Sequence, residues 1–336
     1  MLRIGVIGTG WIATRHMDAL TREAGVQIAA LCDINEQRVE ELASKYGAEA
    51  YTDYIEMFEE SALDMVLICT PPGIRLGPIS EAAKRGIACF IEKPPAFDEK
   101  EAIEINKVIE ESGILASVGF MYRYAGAVEK AKELIAGAAV PIIRSVYVCG
   151  LAINPDWPRW FFNKSLSGGP LLDQAIHVID ASRYLIDQTS GDISELQAFG
   201  SNLSIEKTDE FTIEDSHVLN IRYKNGTIQN HTQSWAIDPN YANIELISND
   251  FHLKIDLNPE PYAFYRSKLT GVYKNNPIDI DFTDEDFYIT EMRTFIEAVK
   301  TDNKDLIRSP YHDAIKTLRT MLLANKSVEE NKGVYV

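Results

Sequence analysis

Three side chains have types suited to taking a proton from an alcohol: Lys93, Asp173 and His177. The segment IACFIEKPPAF carries an apolar run, Ile87 to Ile91, into a carboxylate, an ammonium and two prolines (Glu92, Lys93, Pro94, Pro95). Neither proline has an N–H to give a sheet, and Lys93, one step past a buried strand, is desolvated unless it finds a partner. A strand end that carries charge inward marks a site. Asp173 and His177 stand four residues apart in a helical pattern, so they share a face and can act on one small molecule. Histidine, with an ordinary pKa of about 6.5, suits a general base near neutral pH. A lysine cation stabilises a developing alkoxide, and a carboxylate holds a neighbouring hydroxyl or sets the imidazole tautomer. Together they fit oxidation of a secondary alcohol, with the base left open between His177 and Lys93. Each also has a plainer reading: a loop lysine, a carboxylate complementing a helix dipole, and a packed core histidine.

Alcohol oxidation needs a hydride acceptor, and the first apolar run leads into a turn suited to holding one. GTGWIA is a G-x-G-x-x-A turn (Gly8, Gly10, Ala13, with Trp11 and Ile12 inside it) followed by a helical pattern. Gly8 makes the tight turn, Gly10 lets the main chain approach a pyrophosphate, and Ala13 lets helix pack closely on strand. The free N–H groups of the helix N-terminus then let an acidic protein hold an anion. The second apolar run ends at Asp33, about 20 residues on, where a carboxylate meets the adenosine ribose. Because a carboxylate accepts from a 2′-hydroxyl and repels a 2′-phosphate, NAD is expected over NADP. Arg38 reads as a solvated helix-face charge. Ligands of a doubly wound sheet lie beyond the carboxyl ends of its strands. CTPPGIR and IEKPP occupy two such ends, which makes Thr70, Pro71, Glu92 and Lys93 candidate cofactor contacts, with Glu92 pointing the opposite way from Lys93.

The elements that must position these groups follow from the pattern of the rest. With 336 residues the chain exceeds the size at which single cores stop growing, so two domains are expected. In the first third, apolar runs (Leu2 to Ile7, Val26 to Leu31, Met65 to Cys69, Ile87 to Ile91, Leu115 to Phe120) alternate with helical spacing, which predicts a parallel sheet covered on both faces. From Met121 the rhythm changes. The aromatic segment NPDWPRWFF precedes a Gly168-Gly169-Pro170 break, and there Trp157 and Trp160 could stack on a sugar ring or serve as core aromatics. LLDQAIHVIDASRYLI is expected to be a helix. The stretch HVLNIRYKNGTIQNHTQSW predicts a hairpin with a two-residue Asn225-Gly226 turn, its His217, Leu219, Ile221 and Tyr223 on one face. ANIELISNDFHLKIDL predicts a second hairpin, and helices over 286–300 and 310–325 close the chain. His16, His217, His231 and His252 read as structural. Acidic residues outnumber basic ones by 50 to 33, and a net charge of −17 repels nucleic acid and anionic membranes. No run is long and apolar enough to span a bilayer, so a cytoplasmic protein is expected. The four cysteines show no zinc or disulfide spacing, and no metal is expected.

The motifs GVIGTGWIATRH, CTPP, the EKP triplet, VGFMYRY (Val118 to Tyr124) and GGPLLDQAIHVID resemble the oxidoreductase family named for glucose–fructose oxidoreductase, inositol dehydrogenase and a rhizopine-catabolism protein. The resemblance covers nearly the whole chain, and EKP followed by GG-x3-D-x3-H is its most specific part. It implies an α/β protein: an N-terminal Rossmann doubly wound parallel sheet (1–122, binding NAD) plus a C-terminal α/β domain with an open, mainly antiparallel sheet (123–336, binding substrate and forming oligomers). Lys93, Asp173 and His177 would be the catalytic group. Arg123 would lie near the cofactor, and Tyr122, with Trp157, near the substrate. The implied activity is hydride transfer between NAD and a hydroxyl of a sugar, cyclitol or sugar derivative. An NAD-dependent glycosidase with transient redox and a non-catalytic NAD-binding sensor are the alternatives. The resemblance also implies a homodimer or homotetramer and a cis Lys93–Pro94 peptide. Many members have a histidine where this chain has Arg75.

Overall fold

The computed structural model describes residues 1–154, 156–186, 191–202, 204–238, 240–258 and 265–336, so Pro155 of the aromatic segment lies outside the described residues. The chain forms two compact units, Met1–Gly119 with Ile289–Ile315, and Phe120–Tyr288 with Lys316–Val336.

In the first unit, strands β1 (Leu2–Ile7), β2 (Val26–Cys32), β3 (Glu49–Tyr51), β4 (Met65–Ile68), β5 (Ala88–Ile91) and β6 (Ala116–Val118) form one parallel sheet in the order β3-β2-β1-β4-β5-β6. This is the doubly wound order, in which the order of strand addition reverses between β1 and β4. Helices α1 (Trp11–Leu20), α2 (Glu36–Tyr46), α3 (Tyr54–Glu60), α4 (Leu76–Lys84) and α5 (Glu99–Ser112) make the crossovers. Their starts follow local chemistry: Asn35, Asp53 and Asp98 each cap a helix by accepting a main-chain N–H. The short edge strand β3, exposed at Glu49 and Ala50, carries too little apolar signal to stand out in the sequence.

In the second unit, α6 (Gly126–Leu134), β7 (Ile142–Val148), α7 (Lys164–Ser167) and α8 (Ile176–Ile186) precede β8 (Ile193–Ser201), β9 (Ser216–Tyr223), β10 (Ile228–Ser234), β11 (Tyr241–Ile247), β12 (Phe251–Asp256), β13 (Ser267–Tyr273) and β14 (Asn276–Phe282). With β15 (Val334–Tyr335) the strands form one sheet, β14-β13-β12-β11-β7-β10-β9-β8-β15. Every pairing in it is antiparallel except β7 with β10. Both hairpins are present, and His217, Leu219, Ile221 and Tyr223 face the core as expected. The β9–β10 turn is not the two-residue type. Tyr223 N–H donates to the Thr227 carbonyl and Gly226 N–H to that of Tyr223, leaving Lys224, Asn225 and Gly226 in the loop. Only Gly226 takes a positive φ (+91°), because the Asn225 side chain instead accepts from Thr227 N–H and holds a three-residue turn.

Residues 289–315, which hold most of α9 (Phe287–Thr301) and the start of α10 (Tyr311–Glu330), group with the first unit, whereas the sequence expectation ran the second domain unbroken from 123 to 336. Met292, Phe295 and Ile296 of α9 join Ile4, Val6, Leu67 and Phe90 in the core of the first unit. Ser309 also accepts from and donates to Val118 of β6. The apolar face that α9 buries on this sheet draws the chain back. Among the described residues no helix is long and apolar enough to cross a membrane, and no group of three or more His, Cys, Asp or Glu is placed to hold a metal.

Candidate active site

The Gly-rich turn is built as its spacing requires. Gly8 has φ +84°, and a Cβ there would stand 2.9 Å from the main chain of Cys69. Gly10 precedes α1 with no side-chain cap, the first turn carries no acidic residue, and a Cβ on Gly10 would meet nothing within 4 Å. The N–H groups that begin α1 therefore have open space beside them, and exposed Trp11 and half-buried Ile12 follow in the same turn. Asp33 ends β2 with its carboxylate fixed: Oδ2 accepts from Thr9 N–H (2.7 Å) and Thr9 Oγ1 (2.8 Å), Oδ1 from Asn35 N–H (2.9 Å). Burial alone would raise its pKa. The hydrogen bonds from Asn35 and Thr9, with the charge of Arg38, outweigh burial and hold it below the ordinary value, so Asp33 is an anion at neutral pH. Thr9 is a member of this site that motif reading passed over. At the end of β4, the buried Thr70 hydroxyl has no hydrogen-bond partner among the described residues, and Pro71 is exposed. An open helix start, a fixed carboxylate and an orphaned hydroxyl fit a dinucleotide, whose pyrophosphate and ribose supply the missing partners.

At the end of β5 the main chain around Lys93 is tied from several sides, and the Lys93–Pro94 peptide is cis as expected. Glu92, a candidate cofactor contact expected to point the opposite way from Lys93, turns into the protein interior. It is 5% exposed, with Oε1 2.6 Å from His16 Nε2 and Oε2 accepting from Lys93 N–H at 3.0 Å. Burial opposes its charge, but the His16 hydrogen bond and the charges of His16, Lys93 and Arg75 hold its pKa below the ordinary value. Gly119 makes room for it, since a Cβ there would lie 3.3 Å from the carboxylate. His16 is structural as expected, yet its partner lies 76 residues away rather than on its own helix. Arg75 donates Nε and Nη2 to the Thr70 carbonyl (3.2 and 2.9 Å) and Nη1 to the carbonyls of Glu92 and Pro94.

In the second unit, Gly168 and Gly169 both take φ +74°, and a Cβ on Gly168 would lie 2.9 Å from Leu172. The chain then enters a π-helical turn, Leu171–Ala175, before α8. Asp173 sits in that wide turn and His177 in the regular helix after it, so the two do not share one α-helix as their spacing suggested. Such turns recur at functional sites because they re-aim side chains. The ring of His177, 4% exposed, stands 5.5 Å from that of Tyr122 and 6.3 Å from Phe120. Burial raises the pKa of Tyr122 and of Tyr147 beside it, so both remain protonated hydroxyls, and Asp173 adds to the effect on Tyr147. Arg123, a candidate for the cofactor, is 2% exposed and paired with buried Asp180 through Nε–Oδ2 (2.7 Å) and Nη2–Oδ1 (2.6 Å). A desolvated guanidinium needs such a partner, and Asp180, one turn beyond His177, supplies it. Half-buried Trp157 lies 5.5 Å from Phe161, whose ring lies tilted 3.9 Å from that of Trp160.

Comparison with known proteins agrees with this architecture. The myo-inositol 2-dehydrogenase of Thermotoga maritima is 26% identical over 338 residues, covering 99% of this chain and 98% of its own length. The D-glucoside 3-dehydrogenase of Escherichia coli is 28% identical over 253 residues, 70% of this chain and 71% of its own. The structure of levoglucosan dehydrogenase in complex with NADH superposes with a TM-score of 0.83 at 21% identity, over 100% of this chain and 99% of that one. Residues 128–254 match the GFO/IDH/MocA C-terminal domain, and residues 2–120 match the oxidoreductase family with an NAD-binding Rossmann fold. With both of its units matched and the Gly8 turn, Asp33 and the EKP strand end in place, the chain belongs to the GFO/IDH/MocA oxidoreductase family.

Proposed function

We propose that this protein is an NAD-dependent dehydrogenase that oxidises a secondary hydroxyl of a sugar, cyclitol or sugar derivative, with Lys93, Asp173 and His177 as its catalytic group. The observation that carries the reading is Lys93 itself: a lysine held at the carboxyl end of β5, in the unit that also carries the open Gly10 turn and the fixed Asp33 carboxylate. NAD supplies the hydride acceptor when bound. Lys93 donates to the substrate oxygen and stabilises its developing negative charge. The His177 imidazole takes the hydroxyl proton, the general-base role that histidine side chains serve near neutral pH. Asp173 accepts from a neighbouring hydroxyl, and Tyr122 and Trp157 shape the substrate's apolar surroundings. The anionic Asp33 favours a ribose diol over a 2′-phosphate, so NAD is preferred to NADP. The relatives named for inositol and glucoside substrates support a polyol ring.

The protein also pairs with a second copy of itself. The nine-stranded sheet carries Ile142, Val218, Ile228 and Phe199 on the side away from its core, each between 39% and 50% exposed. Phe199 and Val218 are direct cross-strand neighbours, as are Ile142 and Ile228, and these two exposed apolar pairs, separated by Asn220, Asn230 and Arg144, are suited to burial in a homodimer or homotetramer. The reading of function is tested by supplying NAD and a panel of inositols, aldoses, glucosides and sugar acids while following NADH absorbance. Steady NADH release with at least one member is the expected result. Tight NADH binding with no turnover on any member would overturn it.

A further inference from the structure

We propose that Arg75 is a positioning residue for Lys93: its buried guanidinium, seated on the carbonyls of Thr70, Glu92 and Pro94, fixes the main chain on both sides of the lysine and so sets where its ammonium stands. The proposal deepens the reading above and rests on it for the task it gives Lys93. Arg75 lies in the turn before α4 and is 2% exposed. Four hydrogen bonds leave its guanidinium, and all four end on main-chain carbonyls. Two strand ends are thereby tied together, that of β4 at Thr70 and that of β5 at Glu92 and Pro94. Residues 92 and 94 flank Lys93, and its own N–H is held by Glu92 Oε2, so the main chain before, at and after the lysine is fixed while its side chain extends from that anchor.

The residue type matters. A planar guanidinium presents five N–H donors in a rigid fork and can bridge several acceptors at once. A lysine ammonium is a point charge without the fork, and an imidazole has at most two donors. Burying a cation is costly, and burial pushes the Arg75 pKa down to about 10, with the Glu92 carboxylate opposing the shift, so it remains a cation at neutral pH. Glu92 in turn is held by His16 of α1, the helix that starts at the Gly-rich turn. A buried arginine that only filled space would not need its donors distributed over the two carbonyls that flank Lys93.

The test reads Lys93 without needing the substrate. Acetylation of Lys93 by acetic anhydride is followed by peptide mass spectrometry, with exposed Lys107 as internal reference, in the unmodified protein, Arg75→Lys, Arg75→His and Arg75→Ala, each checked for folding by NADH fluorescence. An amine's reactive fraction at neutral pH changes about tenfold for each unit of pKa shift. The ratio of Lys93 to Lys107 acetylation is expected to change by about threefold or more in all three variants, and millimolar guanidinium ion is expected to restore part of the change in Arg75→Ala but not in Arg75→Lys. An unchanged ratio in variants that still bind NADH, whatever their thermal midpoint, would reduce Arg75 to a structural residue and overturn the proposal. Failure of the underlying reading shows elsewhere, as turnover that survives Lys93→Ala.

Discussion

Asp33 is held in place by Thr9, whose N–H and hydroxyl both reach Oδ2. Replacing Asp33 with Ser removes the charge that excludes a 2′-phosphate, so the preference for NADH over NADPH should narrow about tenfold or more, read by nicotinamide fluorescence titration. Thr9→Ala, which costs the carboxylate one bond, should narrow it by less. Equal affinities in the unmodified protein would show the carboxylate to be misplaced. A second residue governs behaviour in acid. His231 is fully buried, and burial first, with the nearby His217 adding to it, pushes its pKa down from 6.5 to about 3. The unfolded chain takes up this proton as pH falls through 6.5 while the folded protein does not until about 3, so stability is lost across that window. Between about pH 6.5 and about pH 4.5, above the range where most carboxylates titrate, His231 should contribute a loss of about 1.4 kcal/mol per pH unit. Urea titrations of His231→Asn should show a shallower slope there; an identical slope would place the proton uptake on other groups. Lys93, Asp33 and the Gly turn were legible because each motif is local in sequence. The His16–Glu92 and Arg123–Asp180 pairs were not, because each partner comes from a distant segment and only the packed fold brings them together.

At the scale of elements, the alternation of apolar runs with helical spacing revealed the doubly wound sheet, since parallel strands buried on both faces must read as continuous apolar runs. The three-residue β3 escaped that signal, and the β9–β10 turn was misjudged because an Asn-Gly pair serves two hairpin types that differ by one hydrogen bond. The π-helical turn over Leu171–Ala175 left no mark in a pattern still dominated by helical periodicity. Helix α9 reads correctly as a helix, but its apolar face does not say which core it joins. Phe295, 1% exposed and 5.7 Å from Phe90, settles that. Phe295→Ala should destabilise the protein by about 3–5 kcal/mol, measured by denaturant unfolding. A cost below about 1 kcal/mol would mean that α9 contributes little to the first core.

For the whole molecule, the family resemblance foresaw the two-part architecture. Chain order does not show that 289–315 groups with the first unit. The two exposed apolar pairs on the outer sheet face predict a dimer or tetramer by light scattering at micromolar concentration, and Val218→Lys with Ile228→Lys should shift it toward monomer; a monomeric unmodified protein would contradict the assignment. The proposed mechanism requires Lys93 and His177 to act together on one hydroxyl. The most direct measurement is single-turnover NADH formation, on a substrate found in the polyol panel, by the unmodified protein, Lys93→Ala, His177→Ala and the double variant across pH. Each single substitution should slow hydride transfer by about 10²–10⁴-fold with NADH affinity almost unchanged, and the double variant should lose little more, since groups acting as a unit are not additive. The acid limb of the rate profile should vanish in His177→Ala and persist, at reduced height, in Lys93→Ala. Near-normal rates in both single variants would contradict the mechanism.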